Sequence, residues 1–259
     1  MLQIKVGVQL ASLRLPFKQG LLMAREMGAE AVEIDARHEL RPEELSQTGV
    51  RQVRKMLDDL NLRVSCLSFR TRRGYHVADD LEARIDATKR ALRLAYDLGT
   101  NVVVNHIGSV PADDDPALST MVQALADIWR ISHKVGAFLA AETATDSGAD
   151  LAKLISRLPP GAIGVDLNPA QLIIHGHSPL EAVKALGQNV MHVHANDAAR
   201  DVSVGRGIEV QLGRGSAEFP ELLATLEEHQ YRGYITIERR DATSAIAEVR
   251  QAIEFLRNL

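Results

Sequence analysis

Val135-Gly136-Ala137-Phe138-Leu139-Ala140-Ala141-Glu142 reads as the end of a helix, a glycine stop and a short strand that closes on a carboxylate. Glycine just past the last apolar helical residue is the usual left-handed cap, so it marks a helix-to-strand junction. The pattern recurs along the chain. Met27-Gly28 leads into Ala31–Asp35, Leu98-Gly99 into Asn101–Asn105, and Arg232-Gly233 into Tyr234–Glu238. Four further apolar runs, at 4–10, 63–69, 163–167 and 190–195, complete a set of eight strands. Amphipathic stretches over 16–27, 48–60, 81–98, 117–135, 149–158, 178–187, 218–229 and 243–257 separate them. The runs are nearly continuous rather than alternating, as parallel strands covered by helices on one side require. Eight βα units in 259 residues predict a (β/α)8 barrel, a fold of about 250 residues. A doubly wound sheet would want a Gly-rich turn after the first strand, and Gln9–Arg14 contains no glycine.

Working outward, 46% hydrophobic and 25% charged residues over 259 positions describe an ordinary folded chain. We find no linker or low-complexity tract and expect one domain over 1–259. A single Cys rules out a disulfide scaffold, and a formal charge of −4 gives no global field for nucleic acid or an anionic membrane. No apolar run approaches the ~20 residues of a membrane span, and a strand beginning by Ile4 leaves no room for a leader peptide. The expectation is a cytoplasmic protein with a small-molecule partner, no nucleic-acid or membrane partner, and homo-oligomerisation left open.

Barrel active sites lie where strands end and βα loops begin. Those ends carry Glu142, Asp166, His194 and Glu238 on the fifth to eighth strands. Carboxylates and a His are costly in a barrel mouth unless paired or bound to a cation. Three oxygens and one nitrogen form a divalent-metal set. If these four point inward, so do Ala140, Gly164, His192 and Thr236, which leaves space beneath and puts His192 behind the ligands. On the second strand Glu33 and Asp35 share this parity, and Asp35, nearer the end, is the better candidate for the mouth.

Ala140-Ala-Glu-Thr143, Gly164-Val-Asp-Leu167, Met191-His-Val-His-Ala-Asn-Asp197, Leu212-Gly-Arg-Gly215 and Thr236-Ile-Glu-Arg239 resemble the xylose-isomerase-like barrels over essentially the whole length. That superfamily holds sugar and sugar-phosphate isomerases and epimerases, with endonuclease IV as a relative. The resemblance implies one divalent ion (Mn, Mg, Co or Zn) on Glu142, Asp166, His194 and Glu238, with Glu142 and Glu238 flanking the reacting carbon. Departures accompany it. Pro169 stands where many relatives have a His three residues after the strand-six Asp, and Glu209 stands where endonuclease IV has a His ligand.

A metal holding two vicinal oxygens of a hydroxy-ketone would stabilise an enediolate, and two opposed Glu could move the proton. Return to the opposite face gives an epimer, return to the neighbouring carbon an isomer, and loss of a β-hydroxyl a dehydratase. A sugar-like substrate, anionic or neutral, is expected. His106, Arg72, His177, Arg206, Glu209 and Arg214 are the substrate-binding candidates, while His175 reads as an ordinary loop residue. The arginines occur in two groups, Arg70, Arg72 and Arg73 after the third strand and Arg200, Arg206 and Arg214 after the seventh. A metal-dependent phosphodiesterase of the endonuclease IV type is disfavoured by the missing His ligands. A barrel that binds a sugar without turnover is the other alternative.

Overall fold

The structure is a computed structural model that describes residues 4–201 and 206–259. Eight parallel strands close into a barrel: β1 (Lys5–Gln9), β2 (Ala31–Asp35), β3 (Arg63–Ser68), β4 (Val102–Asn105), β5 (Phe138–Glu142), β6 (Gly164–Leu167), β7 (Val190–Ala195) and β10 (Tyr234–Ile237). Neighbours follow chain order, and β10 closes the ring on β1 with Val6 opposite Ile235 and Val8 opposite Ile237. The covering helices are α2 (Phe17–Glu26), α3 (Gln47–Asp59), α4 (Leu81–Leu98), α5 (Pro116–Val135), α6 (Gly148–Ser156), α8 (Pro179–Leu186), α9 (Phe219–Glu228) and α10 (Ala245–Arg257).

The glycine stops act as expected at α4 and α5, whose C-caps Gly99 and Gly136 have φ of 87° and 83°. The stop before β10 is different. There Gln230 takes the left-handed conformation at φ 61°, and Gly233 instead makes room for the Tyr231 hydroxyl, which would collide with a Cβ. The main apolar core lies between barrel and helices, where Val103, Leu139, Val165, Val193 and Ile237 pack outward from the strands. Inside the barrel the apolar contribution is small, a cluster of Cys66, Val102, Val104 and Ala140 with Met191 against it. Cys66 is buried there and Trp129 packs against the main core. The rest of the lumen is polar.

Besides a 3-10 turn at Gly187–Asn189 before β7, three additions to the eight-fold repeat among the described residues sit after strand ends. They are α1 (Leu10–Leu13) after β1, α7 (Pro169–Ile174) after β6, and a hairpin of β8 (Asp197–Ala199) and β9 (Ile208–Val210) after β7. The hairpin explains the Leu212-Gly-Arg-Gly215 motif. Buried Asp197 accepts hydrogen bonds from the backbone N–H groups of Ala198 (2.9 Å), Gly213 (3.1 Å), Gly215 (2.8 Å) and Ala217 (3.0 Å). A Cβ at Gly215 would strike that carboxylate, so the chain can wrap it only with glycine there. Among the described residues no helix is long and apolar enough to cross a membrane.

Asp197→Ala would strand those four donors, each at a cost of ~1–3 kcal/mol before water relieves some of it. A loss of roughly 3 kcal/mol or more in unfolding free energy is expected from urea titration. A loss below ~1 kcal/mol would refute the anchoring role.

Candidate active site

The polar residues of the lumen form two tiers. The upper tier, at the C-terminal mouth, centres on Glu142 at the end of β5 and Glu238 just after β10, which are 5% and 2% exposed. One guanidinium joins them. Arg70, from the loop after β3, donates Nε to Glu142 Oε2 (3.0 Å), and its Nη2 donates to Glu142 Oε1 (3.1 Å) and to Glu238 Oε1 (2.8 Å). Arg240 adds a second cation, with Nε 2.8 Å from Glu238 Oε1 and Nη2 3.4 Å from Glu142 Oε1. His106 Nε2 lies 3.2 Å from Glu142 Oε2.

The two asparagine amides of this tier have fixed orientations. Asn168 caps α7, and its Oδ1 accepts from the Gln171 N–H (3.1 Å). Its Nδ2 must therefore face inward, where it donates to Glu142 Oε1 (2.8 Å) and Glu238 Oε2 (2.9 Å). Asn196 Oδ1 accepts from the Ala170 N–H (2.9 Å), so its Nδ2 reaches Asn168 Oδ1 (2.9 Å) and Glu238 Oε2 (2.8 Å). The short α7 thus aims two neutral donors at the carboxylates.

The lower tier is a chain of buried ion pairs. His194 Nδ1 lies 2.8 Å from Asp166 Oδ2, and its Nε2 lies 2.7 Å from Glu33 Oε2. His192 Nδ1 meets Asp166 Oδ1 at 2.7 Å, and its Nε2 meets the Thr236 hydroxyl at 2.7 Å. Gln9 connects the tiers by donating Nε2 to Glu33 (2.9 Å) and Glu238 (3.1 Å).

Burial raises carboxyl pKa values, but neighbouring cations win here. Burial pushes the Glu33 carboxyl up and His194 pulls it further down, to about 2. Burial is likewise outweighed at Asp166, which His194 and His192 lower to about 2. The His194 imidazole resists burial and is held well above its ordinary range by Asp166, Glu238 and Glu33, so it is an imidazolium between carboxylates. Glu238 is held well below the usual range, since His194, Arg70 and Arg240 overcome its burial. Burial lowers the His106 pKa more than Glu142 raises it, which keeps that ring neutral near pH 7.

The predicted site residues are therefore divided. Glu142 and Glu238 meet at the mouth. Asp166 and His194 lie two residues earlier on their strands than Asn168 and Asn196, and so one tier deeper. Strands tilt and stagger around a barrel, so residues with equal rank at their strand ends need not share a layer. Position 168, which the strand-end reading passed over, is the one that joins the glutamates. On β2 the expected Asp35 turns into the loop toward His38 (2.8 Å), and Glu33 faces the lumen instead. His192 stands behind Asp166, in the supporting position expected for it.

A cavity of about 250 Å³ opens beside Glu142, lined among others by His106, Gly108, Thr143, Gln171 and His175. His175 thus lines the cavity, whereas His177 stays outside its lining and donates to the Thr145 carbonyl (2.9 Å). Glu209 forms an ion pair with Arg239 (2.9 Å) and accepts a hydrogen bond from the Arg240 N–H (3.0 Å), so it anchors the segment that carries Arg240. Arg72 lines a separate cavity of about 570 Å³ with Arg37, Arg41, Arg73, Arg84 and Arg90. Arg206 and Arg214 are exposed and line neither cavity. Sequence reasoning missed Arg240, Asn168, Asn196 and Gln9 as contributors, named Arg70 only within an arginine group, and ranked Glu33 below Asp35. The Asn-Pro dipeptide at 168–169 was the available signal, because it marks an N-cap just past a strand end.

Residues 21–259 match the family described as the xylose isomerase-like TIM barrel. The chain belongs to that family. A curated relative, the uncharacterized protein MJ1311 of Methanocaldococcus jannaschii, is 23% identical over 186 residues, 66% of this chain and 62% of that protein. The chain thus aligns with less than two thirds of that relative's length. A xylose isomerase domain protein from Planctomyces limnophilus superposes with a TM-score of 0.87 at 23% identity, covering 98% of this chain and 96% of that one. The IolI protein, solved with a bound zinc atom, gives 0.82 at 16% identity over 98% and 97%. A D-allulose 3-epimerase from Methylomonas sp., solved with D-allulose, gives 0.77 at 17% identity over 100% and 98%.

Among the described residues three groups could hold a metal ion, with ligand atoms within 4.8 Å of one another: Glu142, His194 and Glu238; Asp166, His192 and His194; and Glu33, Cys66 and His192. Three of the four ligands that family resemblance implies, Glu142, His194 and Glu238, form one of these groups, while Asp166 falls in another with His194. Asp166 is engaged by two imidazoles, and the amide that replaces it beside the glutamates presents a donor.

Removing one partner from a buried ion pair costs about 3–5 kcal/mol because it leaves an uncompensated charge. His194→Ala leaves two such carboxylates, so metal-free protein is expected to lose at least that much in urea titration. Unchanged stability of the metal-free variant would show that His194 does not hold the lower tier together.

Proposed function

We propose that this chain is an isomerase or epimerase of a small polyhydroxylated ketone, with Glu142 and Glu238 as its acid–base pair. The observation that carries this reading is the juxtaposition of the two carboxylates across one guanidinium at the barrel mouth, beside a cavity of about 250 Å³. That volume lies below the ~300–1,000 Å³ of pockets for drug-sized ligands, which favours a compact substrate.

Deprotonation next to a carbonyl builds negative charge on oxygen, and Arg70 and Arg240 are the cations aimed at the mouth. A substrate oxygen that takes over guanidinium N–H groups releases a carboxylate oxygen from them. That carboxylate is then a stronger base than in the closed ion pair, because its proton affinity rises as the cations turn to the substrate. One glutamate removes the C–H proton, whose electron pair moves into the enediolate. The glutamate so protonated returns that proton to the adjacent carbon to give an isomer, or the other glutamate, after taking up a proton from water, returns one to the opposite face to give an epimer. Neutral His106, 3.2 Å from Glu142, can pass the proton on.

Glu142→Gln and Glu238→Gln preserve side-chain volume and remove the transferable proton. Each is expected to lose roughly 10²–10⁴-fold in kcat, the usual size of a general acid–base contribution. Proton–deuterium exchange in heavy water, followed by NMR over a panel of ketoses and inososes, is the first assay. Wild-type exchange that persists at full rate in both variants would overturn the assignment.

If the substrate carries an anionic group, the arginine-lined cavity around Arg72, on the same loop after β3 as Arg70, is the place proposed for it. Arg72→Ala and Arg90→Ala should then raise KM for a phosphorylated or acidic ketose and leave that of its neutral analogue unchanged. Equal effects on both would mean that these arginines are only rim charge.

A further inference from the structure

We infer that Arg70 occupies the place of the divalent cation between Glu142 and Glu238, so that the mouth of this barrel holds a fixed organic cation and takes no metal ion. The inference concerns what binds the two glutamates, whichever reaction they serve.

Every group that faces the two carboxylates is a hydrogen-bond donor. Glu142 receives Arg70 on both oxygens and Asn168 on Oε1, with His106 at Oε2. Glu238 receives Arg70, Arg240 and Gln9 on Oε1 and both asparagine amides on Oε2. A metal site needs lone pairs converging on one point. Here N–H groups converge on the acids instead.

The oxygens that could have completed a coordination shell are turned away. Asn168 Oδ1 faces the Gln171 N–H and the Asn196 amide, and Asn196 Oδ1 faces the Ala170 N–H. Reversing either amide would put its NH2 against those donors and its oxygen against a carboxylate. The nitrogen that could have completed it is also engaged, because His194 meets Asp166 with one ring nitrogen and Glu33 with the other.

Charge gives an independent reason. Two carboxylates and two guanidiniums sum to zero at the mouth, so a dication could enter only against two fixed positive charges or by expelling them. Arginine suits this position, since it stays charged at any accessible pH, presents a planar fork that matches a carboxylate and gives up hydration more readily than an ammonium group. The loop after β3 brings the guanidinium in from the side, where it remains 28% exposed while the glutamates are closed off.

The test is metal occupancy, with no substrate required. Wild-type protein, stripped with chelator and equilibrated separately with Mn²⁺ and Zn²⁺, is analysed by elemental analysis and calorimetry. Substoichiometric binding is expected, or an ion that persists in Glu142→Gln and Glu238→Gln and therefore sits elsewhere. The double variant Arg70→Ala with Asn168→Asp removes the guanidinium and restores a carboxylate beside both glutamates. It should bind one Mn²⁺ per chain, with affinity raised by roughly 10–100-fold, the scale set by residues supporting a metal site. If that variant does not fold, the wild-type occupancy decides alone. One ion per wild-type chain, lost in Glu142→Gln, would overturn the inference. The readout is binding, so it can fail while the acid–base role stands, and the exchange assay can fail while the mouth is metal-free.

Discussion

Two carboxylates closed off from water a few ångströms apart cannot both stay ionised unless positive charge lies between them. Glu142 and Glu238 are in that position, and the mouth of the barrel is organised around neutralising them. Arg70 bridges them, Arg240 supports one side, and the amides of Asn168 and Asn196 fill the remaining acceptor directions. Each of these groups is itself held from behind. The helix N-terminus at α7 orients both amides, and Glu209 holds the backbone from which Arg240 reaches inward.

The lower tier solves the same problem with a different cation. Glu33 and Asp166 are completely buried and share His194 between them, while His192 and Thr236 complete the hydrogen bonding. Fully satisfied networks of this kind fix side-chain positions, and partly satisfied ones are costly. Gln9 ties the two tiers together, so the upper carboxylates rest on a rigid floor. Apolar packing inside the lumen is confined to a few small residues, so polar pairing gives much of the interior its order.

How much of this could be read from sequence depended on the range of the interaction. The strands and most glycine caps were legible because they are local: a stop at Gly99 or Gly136 needs only its own helix and the run behind it. Glu142 and Glu238 were legible because a carboxylate ending an apolar strand has few uses in a barrel. Asp166 was misplaced by one tier because stagger between tilted strands is a property of the closed barrel and leaves no mark on any one strand. Arg70 was passed over in favour of Arg72 because a long side chain on a loop can turn either way. The direction was set by partners more than seventy positions away at Glu142 and more distant still at Glu238. The Leu-Gly-Arg-Gly motif stood out as a resemblance, and only the hairpin gave it a physical cause in the carboxylate of Asp197.

Replacing a divalent ion by two guanidiniums keeps the charge and changes the kind of contact available to a substrate. A metal accepts lone pairs from two vicinal oxygens at once, whereas a guanidinium can only donate hydrogen bonds to them. Each charged hydrogen bond contributes about 1.5–3 kcal/mol, so several must act together to stabilise an enediolate as a metal would. The mouth supplies such a set: two guanidiniums, two amides and a glutamine, all fixed before substrate arrives. Donors fixed in advance need no reorganisation as charge develops, which is where electrostatic catalysis gains most. On the proposed function the cost of this design is a base held in check, because the same donors that would steady the product of deprotonation would quiet the glutamate assigned to it. A substrate able to draw the guanidiniums onto its own oxygens relieves that restraint, and one without two such oxygens does not. Selectivity for vicinal oxygen functions would then arise from the ion pairs themselves, without a metal to count them.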